Sequence, residues 1–268
     1  MKLSDNEKKR LIEKYGQWAV VTGASSGIGL ELATKLAESG FNLIINARNL
    51  MKLREIKAEF EQKYKVSVKI VDGDAAQYET NEAIFKVASD LSVGLLVVSA
   101  GYGTSGKFIN NEIDDEIDML RVNCEGLLYI THYFSQQFAQ QKRGGIILMS
   151  SMVAFQGVPN AANYAATKAY VQTLAEGLAV ELRPFGVDVL AAAPGPVASG
   201  FANRANMRMS MSQKPSEIGV PILRALGKQT TVLPGLLTKA LVYSLRTVPR
   251  WGKVLIMNKV MGGMTAHQ

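Results

Sequence analysis

The sequence has only one cysteine, Cys124, among its 268 residues. A single thiol cannot form an internal disulfide, so a disulfide-stapled scaffold is excluded and a reducing compartment is favoured. The two histidines, His132 and His267, lie far from each other and from that cysteine along the chain. Because a metal site needs several clustered ligands, we predict no bound metal. We interpret Cys124 as a buried helical residue without a chemical role.

Long apolar runs are also lacking. A membrane-spanning helix needs about 20 consecutive apolar residues. The longest uncharged stretch, residues 144–167, is interrupted by Gly, Pro, Asn, Gln and Ser. The first sixteen residues are polar and charged, so we expect no secretory signal. These features predict a cytoplasmic protein.

Acidic residues are nearly absent from the last quarter of the chain. Residues 201–268 contain ten Lys and Arg but one acid, Glu217, whereas the other 200 residues carry 20 basic and 22 acidic groups. The segment 236–262 is apolar with regularly placed cations, which predicts one or two amphipathic helices broken near Pro249. Such helices bind membrane surfaces or partners, or they pack on their own domain and cover a pocket. No aromatic and basic surface accompanies the charge, so nucleic-acid binding is not expected.

Strand-like and helix-like segments alternate along most of the sequence. The predicted strands are continuous apolar runs, as expected for parallel strands that are covered on both faces. They cover residues 17–22, 41–47, 66–71, 95–99, 145–151, 187–192 and, for a short last strand, 230–233. This pattern predicts an α/β fold with a doubly wound parallel sheet in a single domain spanning 1–268. An N-terminal helix (1–15) precedes the core (16–234), and a basic helical tail (235–268) follows it.

A glycine-rich turn, TGASSGIG at residues 22–29, falls between the first predicted strand and the first core helix. Glycines there allow a tight turn and close approach of the backbone to a pyrophosphate, which a helix N-terminus attracts. The alternative is an ordinary strand-to-helix loop. The position of the glycine-rich turn directly after a hydrophobic strand favours binding of a dinucleotide.

The end of the second predicted strand distinguishes between two cofactors. NAD-binding proteins usually have an acid there that holds the ribose 2′-hydroxyl. Here the sequence reads Asn46-Ala47-Arg48-Asn49, and Arg48 offers a forked cation suited to a 2′-phosphate. A solvated surface arginine is the alternative, but the position favours NADP (NADPH).

A serine, a tyrosine and a lysine make up the candidate catalytic group. Tyr164 and Lys168 are four residues apart, so they lie on one side of a predicted helix, and Ser151 precedes them by a loop. A phenol with a pKa of about 10 becomes a useful acid when a nearby ammonium lowers that pKa. The three residues therefore predict proton transfer to or from a substrate oxygen. A chance Tyr–Lys pair on a surface helix is the alternative.

Taken together, these motifs resemble the short-chain dehydrogenase/reductase family over roughly residues 16–234. The matching motifs, in family order, are TGASSGIG (22–29), Asp74-Ala75, Ser99-Ala100-Gly101, Asn123 in RVNCEG, Ser151, Tyr164 with Lys168, and Pro194-Gly195-Pro196-Val197. The resemblance implies a Rossmann-type, three-layer fold with about seven strands in the order 3-2-1-4-5-6-7. Ser99 departs from the family, which has an asparagine there that ties the central strands together, and we expect a modest cost in stability.

The resemblance also implies roles for individual residues. Tyr164 is the proton donor, Ser151 binds the substrate oxygen, Lys168 lowers the pKa of Tyr164 and holds the cofactor's ribose, and Asn123 positions a water for Lys168. The implied cofactor-binding residues are Gly23, Ser25, Ser26, Gly27, Ile28, Gly29, Arg48, Asp74, Ala75, Ala100, Gly101, Tyr164, Lys168, Pro194, Gly195 and Val197.

The substrate is less well defined by the sequence. Met207, Met209 and Met211 follow the last motif, where the family has a substrate lid, and they suit either a flexible apolar pocket or plain loop packing. The leading interpretation is an NADPH-dependent reductase of an apolar ketone or aldehyde, including a 3-oxoacyl thioester. Oxidation of a hydroxysteroid-like or lipid alcohol is the second, and an NADP-binding sensor or scaffold is the third. A homodimer or homotetramer is expected, with the basic tail at 236–262 as a membrane or partner contact.

Overall fold

A seven-stranded parallel sheet forms the centre of the molecule, in the order β3-β2-β1-β4-β5-β6-β7. The computed structural model describes residues 1–208 and 212–265. The strands are β1 (Trp18–Thr22), β2 (Asn42–Ala47), β3 (Val68–Asp72), β4 (Val93–Val98), β5 (Gly144–Met149), β6 (Val187–Ala192) and β7 (Thr231–Val232). The predicted fold class and strand order are therefore confirmed.

One helix precedes the first strand, helices follow each of the first six strands, and two more follow β7. They are α1 (Asp5–Tyr15), α2 (Gly27–Ala37), α3 (Leu50–Tyr64), α4 (Tyr78–Ser89), α5 (Ile113–Leu120), α6 (Leu127–Gln140), α7 (Ala162–Glu181), α8 (Phe201–Arg204), α9 (Pro215–Ala225), α10 (Leu236–Ser244) and α11 (Arg250–Thr265). A π-helical segment, Arg121–Gly126, joins α5 to α6.

The two faces of the sheet bury separate apolar cores. Successive residues of a strand point to opposite faces, so Val20 and Ile44 belong to one cluster whereas Val21 and Ile45 belong to the other. Helices cover both clusters, which explains why the strands read as unbroken apolar runs in the sequence. Their parallel register also brings the carboxyl ends of β1, β2, β4 and β5 to one edge of the sheet. Ligands of doubly wound folds bind at this edge.

Helix α1 is anchored to the core by polar contacts that the sequence did not reveal. Arg224 of α9 donates to Glu7 at 2.6 Å, and Arg10 donates to the carbonyls of Leu223 and Leu226. The Tyr15 hydroxyl donates to Asp188 at 2.8 Å. These contacts join the first helix to the last elements of the core.

The basic tail forms two helices, α10 and α11, with the break near Pro249 as predicted. Met257 and Met261 of α11 are 5% and 4% exposed and pack in a third apolar cluster with Tyr102, Tyr164 and Met207. One face of the tail therefore packs on its own core. No helix among residues 1–208 and 212–265 is long and apolar enough to cross a membrane.

Candidate active site

A cavity of about 450 Å³ lies at the carboxyl edge of the sheet. This volume is ordinary for a ligand-binding pocket. The cavity is lined by all of the predicted cofactor-binding residues: Gly23, Ser25, Ser26, Gly27, Ile28, Gly29, Arg48, Asp74, Ala75, Ala100, Gly101, Tyr164, Lys168, Pro194, Gly195 and Val197. Ser151 lines it too, whereas Asn123 does not. The fold thus brings segments that are far apart in sequence into one site.

The glycine turn forms the inner wall of this cavity. Gly23 has a φ of +65° and lies so close to the β4 end that an added Cβ would stand 2.7 Å from the Ala100 nitrogen. An added Cβ at Gly29 would overlap the Gly23 carbonyl oxygen. Helix α2 begins at Gly27, and its N-cap residue Ser26 makes no side-chain capping bond. The first N–H groups of α2 are therefore available to an anion such as a pyrophosphate.

Thr22, which the sequence interpretation did not single out, ties the two central strands together. Its Oγ1 accepts hydrogen bonds from the backbone nitrogens of Ser99 and Ala100, both at 3.2 Å. This hydroxyl joins β1 to β4 at the position where the family's asparagine is replaced by Ser99. The expected cost of that replacement stays a prediction.

Polar groups at the ends of β2 and β3 form the outer part of the cleft. Arg48 Nη1 lies 3.7 Å from Asp74 Oδ2, and the Arg48 side chain is 60% exposed. The amide nitrogen of Asn46 donates to the carbonyls of Val71 and Gly73. Its buried Oδ1 has no hydrogen-bond partner among the described residues. The unpaired Oδ1 of Asn46 and the exposed, weakly bonded pair of Arg48 and Asp74 are both suited to binding a polar ligand.

Ser151, Tyr164 and Lys168 come together on the opposite wall. Ser151 ends the segment after β5, Tyr164 lies in the first turn of α7, and Lys168 lies one turn later. Lys168 Nζ donates to the Met149 carbonyl at 2.9 Å and lies 5.8 Å from the centre of the Tyr164 ring. The Ser150 hydroxyl donates to the Lys168 carbonyl at 3.2 Å. The end of β5 thus holds α7 in place.

Burial dominates the proton affinities of these groups. It raises the pKa of Tyr164 to about 12, and a hydrogen bond from the Ser151 hydroxyl acts in the opposite direction. Burial also lowers the pKa of Lys168 to about 8. The Lys168 ammonium is directed at the Met149 carbonyl, and its predicted role in lowering the pKa of Tyr164 stays a prediction.

Asn123 lies behind the cavity wall, fully buried in the π-helical segment. Its Oδ1 accepts from the Tyr102 nitrogen at 3.1 Å, and its Nδ2 donates to the Tyr102 carbonyl and to Thr167 Oγ1. Both amide hydrogens are therefore used, and the side chain braces the Tyr102 loop against α7. The predicted role in positioning a water stays a prediction. Cys124, next to it, is partly buried, and burial raises its pKa.

The far half of the cavity is apolar. Phe201 of α8 lies 5.2 Å from the Tyr164 ring, centre to centre. Met207 is 9% exposed and lines the cavity, whereas Met209 and Met211 lie outside the described residues. Helix α11 contributes Met257, Met261 and Met264.

Those three methionines were missed at the sequence level although their signal was present. Their separations of four and three residues place Met257, Met261 and Met264 on one helix face. Arg204 of α8 was missed as well, and it stacks 3.6 Å above the centre of the Tyr102 ring at the cavity wall.

Comparisons with known proteins identify the relatives of this chain. A family model described as short chain dehydrogenase matches residues 17–210. A very-long-chain 3-oxoacyl-CoA reductase-like protein of Arabidopsis thaliana is 37% identical over 191 residues, which are 69% of this chain and 61% of the relative.

Two solved structures are similar to the whole fold. One, from a study of 7beta-hydroxysteroid dehydrogenase stereoselectivity, has a TM-score of 0.85 at 27% identity and covers 92% of this chain and 98% of its own. The other is a short-chain dehydrogenase from Sphingobium yanoikuyae in complex with NADPH. It has a TM-score of 0.79 at 26% identity, and the match covers 85% of this chain and 91% of that protein.

The fold and the composition of the site define an oxidoreductase that acts on alcohol or carbonyl groups. The family model matches well over half of this chain, so the chain belongs to the short-chain dehydrogenase family.

Proposed function

We propose that this protein is an NADPH-dependent reductase of apolar ketones or aldehydes, including 3-oxoacyl thioesters. One observation carries the proposal: Ser151 and Tyr164 stand where a polar, phosphate-suited cleft meets an apolar chamber inside one cavity. The polar half suits a dinucleotide and the apolar half suits a greasy substrate. The reacting groups then lie at the boundary between the two.

NADP is the cofactor that the cleft fits. The free N–H groups at the start of α2 suit the pyrophosphate, and Arg48, which lines the cavity, suits a 2′-phosphate. No acid occupies the end of β2. Similar proteins support this assignment, since the Sphingobium yanoikuyae structure contains NADPH. When bound, the cofactor supplies the hydride.

The chain's own residues supply the proton and the charge stabilisation. Tyr164 stays protonated at neutral pH because burial raises its pKa, so its hydroxyl is in the form that a proton donor needs. The Ser151 hydroxyl lies beside the phenol and is positioned to donate to the same substrate oxygen as negative charge develops. Lys168, held by the Met149 carbonyl, places a cation beneath the phenol. In this proposal it contributes its charge and its ribose contact.

Oxidation of a hydroxysteroid-like or lipid alcohol is the second candidate. The similar 7beta-hydroxysteroid dehydrogenase structure supports it. Oxidation starts from the Tyr164 phenolate and reduction ends with it, so the raised pKa of Tyr164 acts on both directions alike.

The first test measures NADPH consumption with ketones and 3-oxoacyl thioesters of increasing chain length. We expect kcat/KM to rise with chain length, because longer apolar chains fill the methionine-lined half of the cavity. Activity confined to short, polar carbonyls would contradict the substrate class.

The Tyr164→Phe variant separates an enzyme from an NADP-binding sensor. Loss of the phenolic proton should abolish turnover while NADPH binding persists, because the ring still fills its place beside Phe201. Unchanged turnover would exclude Tyr164 as the proton donor. The Tyr170→Phe variant, which removes a hydroxyl from an exposed position on the same helix, is the matched control.

Assembly and location follow as further parts of the proposal. We propose a homodimer or homotetramer in the cytoplasm, with the tail at 236–262 making peripheral contact with a membrane or a partner. Analytical sedimentation of the full chain measures the oligomeric state.

A further inference from the structure

The outer sides of α10 and α11 carry a mixture of exposed apolar and basic side chains. We call these residues the tail face: Leu236, Lys239, Tyr243, Arg246, Arg250, Trp251, Leu255, Ile256 and Lys259. Leu236, Trp251 and Leu255 are 85%, 71% and 61% exposed. Such large apolar groups are seldom exposed together on a soluble surface unless they bind something.

The arrangement on α11 is that of a helix lying at an interface. Trp251, Leu255 and Lys259 are spaced four residues apart and share one side of the helix. Met257 and Met261 lie on the other side, where they are buried against the core. The helix therefore has a face that packs inward and a second apolar face that meets solvent. A helix needed only to cover the pocket would not require the second.

The charge of this surface selects one kind of partner. Residues 218–268 contain no acidic residue at all. No ion pair within the described part of the chain joins a tail-face cation to a carboxylate, and Lys239, Arg246, Arg250 and Lys259 are exposed. Cations interleaved with Trp and Leu match the negative surface and the apolar interior of an anionic lipid bilayer.

The cavity opens beside the same surface. Leu241 of α10 and Val260 of α11 line the cavity and are nevertheless 38% and 44% exposed. The two helices thus border one opening, with cavity-lining methionines on its inner side. An apolar molecule that leaves a bilayer along this route would reach Tyr164 without crossing bulk water.

We propose that the tail face docks on an anionic lipid surface and that apolar substrate enters the cavity between α10 and α11 from that surface. The docking stands on the tail face alone, whereas the entry route rests on the proposed reductase function. The two parts are therefore tested by separate measurements.

The docking test uses Trp251 as a reporter. The full chain with Trp18→Phe leaves Trp251 as its sole tryptophan. Its fluorescence and co-sedimentation are measured with phosphatidylcholine vesicles with and without phosphatidylserine. We expect a blue shift and pelleting with the anionic vesicles, and weaker binding to neutral vesicles or in high salt. Absence of binding to anionic vesicles, or equal binding to both kinds, would overturn the proposal.

Paired substitutions test which residues carry the binding. Lys239→Gln with Lys259→Gln should weaken partitioning by roughly tenfold or more, and Trp251→Ser with Leu255→Ser, measured by co-sedimentation, should weaken it at least as much. The matched controls are Lys69→Gln in the edge strand β3 and Met51→Ser in α3, both exposed and outside the tail face, and they should bind like the parent. Equal pelleting of tail-face and control variants would refute the assignment. If the parent binds no vesicles and the tail-face variants lose self-association, the partner of the tail face is a second copy of the chain. That outcome would also refute the assignment to a lipid surface.

Kinetics separates the entry route from the reaction. Each variant is assayed with NADPH and either a water-soluble ketone or a long-chain ketone embedded in anionic vesicles. Tail-face variants should lose rate only on the embedded ketone, since none of their substituted residues lines the cavity. Equal rates on the embedded ketone would refute the entry route. If no carbonyl is reduced although the protein binds vesicles, the reductase function fails while the docking stands.

Discussion

Replacing Arg48 tests the cofactor assignment most directly. Its guanidinium lines the cavity at the end of β2 and is 60% exposed, 3.7 Å from Asp74. A charge-assisted hydrogen bond to a phosphate contributes about 1.5–3 kcal/mol. The exposed pair with Asp74 is worth at most about 1 kcal/mol, and Arg48 gives up part of it when it turns to the ligand. The net loss for Arg48→Ala is then about 1.5 kcal/mol.

That loss corresponds to a roughly tenfold higher Kd for NADPH, whereas the Kd for NADH, which has no 2′-phosphate, should change little. Arg48→Glu should weaken NADPH further, by about 1 kcal/mol more, because the new carboxylate repels the phosphate. Cofactor fluorescence titration at fixed salt measures both constants. The control is Lys57→Ala, which removes a cation from a pair of the same 3.7 Å length with Glu61 outside the cavity. Equal weakening of NADPH and NADH would refute the assignment of Arg48 to the 2′-phosphate.

Three other expectations concern the cavity, the pH profile and the anchoring of α1. Met261→Ala should lower the free energy of unfolding by about 2 kcal/mol and the melting temperature by several degrees. The variant should also lose the preference for long-chain substrates. Met51→Ala, at a 64% exposed site, should cost almost nothing. The kcat/KM for reduction should fall as the pH rises through about 8, where Lys168 loses its charge. A flat profile up to pH 10 would show that reduction does not require a charged Lys168. Arg224 lowers the pKa of Glu7 to about 2. That ion pair therefore stabilises the fold above pH 4.5 and is lost as the pH falls towards 2. Because the Arg224 side chain is 41% exposed, Glu7→Gln should cost only about 1 kcal/mol near neutral pH. The same change at Glu13, whose partner Lys9 is exposed, should leave thermal unfolding unaltered.

Much of the fold could be predicted from local pattern. Apolar runs alternating with amphipathic segments dictate a parallel sheet covered on both faces, because only helices on each side can bury such strands. The glycine turn at 22–29 carries its own conformational reason, since Gly23 adopts a positive φ against Ala100. The spacing of Tyr164 and Lys168 follows directly from helix geometry. These features depend on residues that are neighbours in sequence.

Tertiary structure decided what no local pattern contains. The hydrogen bonds of Thr22 to Ser99 and Ala100 exist because β1 and β4 are adjacent in space. The direction of Lys168 towards the Met149 carbonyl depends on the packing of α7 against β5, and the raised pKa of Tyr164 depends on the burial of its side chain.

The tail gives the clearest division between sequence and structure. Its composition predicted amphipathic helices but left open whether they pack inward or face a partner. The structure gives α11 an inward face, carried by Met257 and Met261, and leaves Trp251 and Leu255 exposed on the other. The sequence by itself determined that the segment is apolar and basic. Only the packing of the helix against distant residues such as Tyr102 and Tyr164 decided which side chains it buries, because burial depends on contacts between distant parts of the chain.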